Sequence, residues 1–147
     1  MFKKIIYTLL FSSVALFALE SGENISKEVQ EQLKLEENKV YVIDFFASWC
    51  KSCKKELPLV LNLYNDKVVE VIGVNVDKKK EDGEKFVKDL NLSFPVVYDT
   101  DKKLVETFDP LGFPAIYYVK DGKVLHVIFG AVKNIDEVIK EDIKSIK

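Results

Sequence analysis

The chain of 147 residues contains no arginine, and all 22 of its basic residues are lysines. Without guanidinium forks, bidentate recognition of phosphates or guanines is missing. A formal net charge of −2 also argues against nucleic acid as a partner. Histidine and cysteine are nearly absent too: one histidine, His126, and two cysteines, Cys50 and Cys53. A zinc site wants about four ligands, and His126 is the only other soft one. A haem-attachment motif needs a histidine directly after the second cysteine, where this chain has Lys54. The acidic turn Asp99-Thr100-Asp101 lacks the ligand series and glycine of a calcium loop. No metal or other cofactor is therefore expected. Internal repeats and a second domain are also missing, and no apolar run is long enough for an ordinary membrane-spanning helix. Ile5 to Phe17, the longest such stretch, is interrupted by Thr8, Ser12 and Ser13 and falls short of the roughly 20 residues required.

What is present is the composition of a folded domain. Hydrophobic residues make up 48% and charged residues 31%, which excludes the disordered class. Residues 1–18 read as a secretory signal: Lys3 and Lys4 form a positive start, and Ala18 offers a cleavage point. Leu16 stands where a small residue is preferred, so retention as an uncleaved anchor stays open. Residues 19–26 read as a linker and 27–147 as one domain. Either fate of the leader puts that domain outside the cytoplasm, in the periplasm or its equivalent, and membrane contact arises only if the leader is kept. Disulfides persist in such compartments. A lone Cys-x-x-Cys there is either kept reduced by a dedicated donor or acts as an oxidant.

The rest of the chain is arranged around residues 40–53. Val40 to Phe46 is almost wholly apolar, as in a strand buried on both faces. After Cys50, apolar residues recur at Leu57, Val60, Leu61 and Tyr64, a helical spacing. The cysteines thus fall where a strand ends and a helix begins, with Cys50 at or near the helix N-terminus and Cys53 one turn in. A helix N-terminus favours thiolate over thiol, and Lys51, Lys54 and Lys55 add positive charge. Two sulfurs at this spacing are able to bond to each other. One thiolate attacks a partner disulfide, and the other then resolves the mixed disulfide. A purely structural disulfide is the plainer alternative, but so short a loop constrains the unfolded chain least.

Further along, Ser26 is expected to cap a helix over 27–37. Pro58 should kink the active-site helix or end it. Residues 68–76 read as a strand closed by Asp77, 81–90 as a helix and 94–98 as a short strand. Leu104 to Phe108 is one or two helical turns. Two β-rich runs, 115–119 and 124–129, flank Asp121-Gly122, a strong hairpin signal. Asn134 is expected to cap the last helix, with Ile135, Val138, Ile139 and Ile143 inward. This order predicts an α/β fold with a mixed sheet and helices on both sides. Asp44 stands out, because a carboxylate in an apolar strand is costly and burial raises its pKa. It either shuttles a proton to and from Cys53 or is a carboxylate held by backbone or water at the strand end. His126 reads as a packed or surface residue.

Asp44-Phe45-Phe46-Ala47-Ser48-Trp49-Cys50-Lys51-Ser52-Cys53-Lys54 resembles the active-site signature of the thioredoxin superfamily. Pro58, Gly112-Phe113-Pro114, Gly122 and Phe129-Gly130-Ala131 resemble its kinking proline, cis-proline loop, hairpin turn and final-strand glycine. The similarity spans about residues 27–147. The extra helix and strand at about 81–98 resemble the exported TlpA/ResA branch, and also peroxiredoxin architecture, which does not use this Cys-x-x-Cys. The resemblance implies a thioredoxin fold with that insertion, and a monomeric thiol–disulfide oxidoreductase acting on protein dithiols and disulfides. It implies Cys50 as attacking thiolate and Cys53 as resolving thiol. Trp49, Phe113 and a cis Pro114 would form the substrate-binding groove, though Trp49 also reads as ordinary core packing. A membrane thiol donor and a part in cytochrome c maturation are implied as well. Two departures stand out. Lys51-Ser52 replaces the common Gly-Pro that tunes the potential, and lysine there should favour a more oxidising couple. Gly73 stands where many relatives carry a lysine near the buried acid. An oxidant that introduces disulfides, or a non-catalytic binding module with a vestigial disulfide, are the competing readings.

Overall fold

The computed structural model describes residues 19–146, so the leader expected at 1–18 lies outside the described residues. Five strands form one mixed sheet: β1 Val40–Phe46, β2 Glu70–Asn75, β3 Val96–Tyr98, β4 Ala115–Lys120 and β5 Lys123–Phe129, in the order β3-β2-β1-β4-β5. β1 pairs parallel with β2 and antiparallel with β4, so it sits at the centre. Every residue of β1 after Val40 is buried, which is why its sequence shows no alternation.

Neighbouring residues of a strand point to opposite faces. Phe45 meets Phe108 of α4 (Lys103–Phe108) with ring centroids 5.1 Å apart, and Phe46 meets Phe86 of α3 (Lys80–Asp89) at 5.9 Å. Helices therefore cover both faces, as in the thioredoxin fold. α2 (Lys51–Asn65) packs against α5 (Ile135–Ile146). α2 continues through Pro58, whose missing N–H does not end the helix. Asp121 and Gly122 take φ of 50° and 71° in the hairpin turn. The positive φ of Gly122 favours glycine, and a Cβ there would displace the Gln30 side chain of α1 (Lys27–Gln32), whose Nε2 would lie 2.2 Å away.

Several expectations shift. Ser26 does cap α1, accepting from Val29 N–H at 3.3 Å, but α1 stops at Gln32 rather than 37. The chain turns at Lys34, with φ of 54°, and the residues beyond carry little apolar surface to bury. The stretch read as a linker is pinned to the hairpin: Gly22 N–H donates to Val124 O at 2.8 Å, and Ile25 is buried. At the start of α5, Asn134 O accepts from Val138 N–H at 3.1 Å and Asn134 Nδ2 donates to Glu137 Oε2 at 3.2 Å. Val138 is only half-buried. Among the described residues, no helix is long and apolar enough to cross a membrane.

Candidate functional site

β1 ends at Phe46, and a short turn delivers Cys50 as the N-cap of α2. Cys50 and Cys53 are joined in a disulfide, with Cα atoms 5.3 Å apart. Cys53 N–H donates to Cys50 Sγ at 3.2 Å, so an otherwise unpaired helix amide points at that sulfur. The same amide, the positive helix end and three nearby lysines would stabilise a thiolate at Cys50. Cys53 is fully buried and Cys50 keeps 7% of its surface, so an incoming group reaches Cys50 first. Cys50 is thus less open than an exposed thiol would be. Lys51 points to solvent, and Ser52 Oγ lies 3.6 Å from Cys50 Sγ.

Trp49, next to Cys50 in the chain, meets the loop that carries Phe113 and Pro114. Trp49 is 64% exposed, which sets aside its reading as core packing. Its ring meets Phe113 edge-on at 5.7 Å. The Phe113–Pro114 peptide is cis, and Pro114 is buried. Gly130 N–H holds the Pro114 carbonyl at 2.9 Å, anchoring this loop to the end of β5. Leu111, 79% exposed in the same loop, extends the apolar surface. His126 lies apart, stacked on Tyr118 of β4 at 5.6 Å.

Beneath the disulfide lie two carboxylates. Asp44 is 1% exposed, and neither of its carboxylate oxygens has a hydrogen-bond partner among the described residues. Burial holds its pKa well above the usual carboxylate range, and the charge of Glu56 pushes it further. The second carboxylate, Glu56, is a residue that the sequence reading missed. It lies three residues after Cys53 on α2, buried, with Val132 N–H donating to its Oε2 at 3.4 Å. Burial raises its pKa to about 7, partly offset by that hydrogen bond. A signal was available, because position 56 falls on the same helical face as Cys53, Leu57 and Val60. Gly73 pairs with Asp44 across β1 and β2. A Cβ there would lie 2.8 Å from Phe46 and 3.0 Å from Phe94, so no lysine side chain fits in the place where many thioredoxins carry one.

A third acid, Asp77, was read only as a strand end. Its carboxylate accepts from Ser48 N–H at 3.0 Å, from Ser48 Oγ at 2.7 Å and from Asn75 Nδ2 at 2.7 Å. It therefore clamps the turn that carries Trp49 and Cys50. Asn75 is in turn covered by α3, since a Cβ on Gly83 would fall 2.1 Å from Asn75 Oδ1. The inserted helix thus closes over the residue that braces the active-site turn. Asp99 accepts from Leu104 and Val105 N–H at 3.0 and 2.9 Å, so this acid caps α4. Among the described residues, no group of three or more His, Cys, Asp or Glu is placed to hold a metal ion. Grooves of about 600 and 570 Å³ lie at the far end of α2, around Lys67 and Val68, away from the sulfurs.

The sequence profile of the AhpC/TSA family matches residues 13–127, more than half of the chain. The chain belongs to the AhpC/TSA family. Within this thioredoxin-superfamily group, it is 33% identical over 119 residues to the thiol-disulfide oxidoreductase ResA of Bacillus thuringiensis subsp. konkukian, covering 78% of this chain and 68% of that protein. It is 34% identical over 94 residues to ResA of Bacillus subtilis, covering 61% of this chain. That match spans only about half of the B. subtilis protein, 52%. The crystal structure of StoA from Bacillus subtilis superposes with a TM-score of 0.65 at 26% identity, covering 72% of this chain and 83% of StoA.

Proposed function

We propose that this AhpC/TSA chain is an extracytoplasmic thiol–disulfide oxidoreductase that reduces disulfides in other proteins. One observation carries the reading: a bridged Cys50–Cys53 pair at a helix N-terminus, with Cys50 as the reachable sulfur. The printed names of the ResA relatives support it.

In the reduced protein the Cys50 thiolate attacks one sulfur of a partner disulfide. A mixed disulfide forms, and the partner's other sulfur leaves as a thiolate that takes a proton from water. Asp44 then accepts the Cys53 proton. The Cys53 thiolate attacks Cys50 Sγ and breaks the mixed disulfide. The products are the Cys50–Cys53 disulfide and a partner dithiol, so two electrons have moved to the partner. Exchange with a dithiol donor on the membrane, run in reverse, restores the pair. Glu56, close enough to raise the pKa of Asp44, keeps that carboxyl ready to hold a proton. Trp49, Phe113 and Pro114 seat the partner's backbone, while Lys51 and Ser52 tune the couple. Residues 1–18 deliver the domain across the membrane, and residues 27–147 act as a monomer needing no cofactor. The proposal extends to cytochrome c maturation, where the substrate would be the disulfide of an apocytochrome c.

Equilibration with glutathione tests the direction of electron flow. A potential well below about −200 mV supports the reductant, whereas one near about −120 mV makes the protein an oxidant. Asp44→Asn tests the proton step. Resolution of a mixed disulfide should slow by about 100-fold at neutral pH and lose its pH dependence. An unchanged profile removes Asp44 from the mechanism.

A further inference from the structure

The segments around the dithiol are rich in exposed lysine. The first turn of α2 carries exposed Lys51, Lys54 and Lys55 and no acidic residue. β2 runs parallel to β1, so the chain leaving β2 emerges at the same edge, where Asp77 holds Ser48. The next two residues are exposed Lys78 and Lys79. On a third side, the contact of Val132 N–H with Glu56 brings exposed Lys133 to the same rim. None of these lysines forms a salt bridge among the described residues. Lys80, the next along, is already paired with Glu84 at 3.3 Å. The carboxylates of the same segments, Glu56 and Asp77, are buried. The exposed acids nearest in the chain are Asp109, in the loop before Pro114, and Glu81 and Asp82 in the first turn of α3.

The chain as a whole is net acidic, so this concentration of lysine is local. Lysines on α2 are accounted for by the thiolate they favour. Lys78, Lys79 and Lys133 lie on other segments and call for a separate reason. Exposed Trp49 stands next to Cys50, and exposed Leu111 lies in the loop whose Phe113 meets Trp49.

We infer that this face recognises an acidic protein partner. Its exchanging disulfide lies in an extended segment flanked by Asp or Glu, with an apolar side chain to cover Trp49 and Leu111. The inference rests on the exchange chemistry proposed above and adds the partner's character. Lysine is a hydrated point charge that forms no bidentate fork, so the rim attracts and orients rather than reads a sequence. The field reaches about 8 Å at physiological salt, so neighbouring lysines act together.

Two disulfide-bridged peptides, identical but for Asp/Glu or Lys flanks, test this against the reduced full-length chain, with hydroxyethyl disulfide as an uncharged control. At about 20 mM salt the acidic peptide should be reduced at least ~10-fold faster, and at about 500 mM the advantage should shrink to ~3-fold or less. Lys78→Glu, Lys79→Glu and Lys133→Glu together should reverse the preference. Should that variant fail to fold, the three Gln substitutions should shrink the preference without reversing it. Equal rates for both peptides, with the control still reduced, overturn the inference and leave the exchange reading standing. No reduction of any disulfide overturns both. Binding to phosphatidylglycerol vesicles without peptide discrimination overturns it in favour of a lipid surface. Salt-sensitive self-association without discrimination overturns it in favour of a second copy.

Discussion

Two regions of this molecule bury carboxylates, and they do so in opposite ways. In the turns that follow β2 and β3, Asp77 and Asp99 are surrounded by donors: Ser48 and Asn75 for the first, the amides of Leu104 and Val105 for the second. Under the disulfide, Asp44 has no hydrogen-bond partner among the described residues, and Glu56 has one long contact. All four are nearly inaccessible, from 1% to 4% exposed. Burial is therefore not what separates them; satisfaction is. A carboxylate ringed by donors holds the chain in place as an anion. One buried without donors is stabilised by protonation, and its ionised form comes at the expense of stability.

The sharpest way to break this contrast is to remove one acid of each kind. Asp77→Ala strands the Ser48 amide and the Asn75 side chain, and should cost roughly 3 kcal/mol in urea unfolding. Asp44→Asn should move stability the other way at pH 8, a gain of about 2 kcal/mol, because a neutral amide replaces a carboxyl that must ionise or hold a proton. If both variants lose stability equally, the distinction drawn here is false.

Glu56 supplies a test with a definite sign. Its folded-state pKa of about 7 lies above the ordinary value of 4.5, so the native state holds the proton more tightly than the unfolded state. Its contribution is most favourable below pH 4.5 and declines as pH rises toward 7. Between pH 5 and pH 8 the decline is about 2.5 kcal/mol. Denaturant midpoints between pH 5 and pH 8 should show it, and Glu56→Gln should flatten that slope. Asp44 has the same sign, so a residual slope in Glu56→Gln should vanish in the double variant. The smallest effect belongs to Asp99→Ala, which removes a helix cap and should cost about 1 kcal/mol in urea unfolding.

Local pattern carried most of the fold. β1 was visible because a strand buried on both faces after Val40 leaves an almost wholly apolar run, and the hairpin because Asp121-Gly122 suits a tight turn. Cys50 and Cys53 were legible as a pair because strand and helix periodicities meet at that point. Glu56 was not, although it stands at core spacing on α2, because the lysines beside it make the turn look solvated. Asp77 was taken for a strand end because its donors come from Ser48, 29 residues earlier. Residues 19–25 came out docked because they pair with the hairpin, a partner distant in the chain.

The order of strands and helices, the position of the dithiol at a helix start and the hairpin are properties of neighbouring residues, and periodicity alone was enough to determine them. Which sulfur faces outward, which acids find donors and which lysines share a rim were decided by tertiary structure. Those properties arise only when β1, β2 and the loop before β4 converge on one edge of the sheet, bringing side chains far apart in sequence within hydrogen-bonding and Coulombic range.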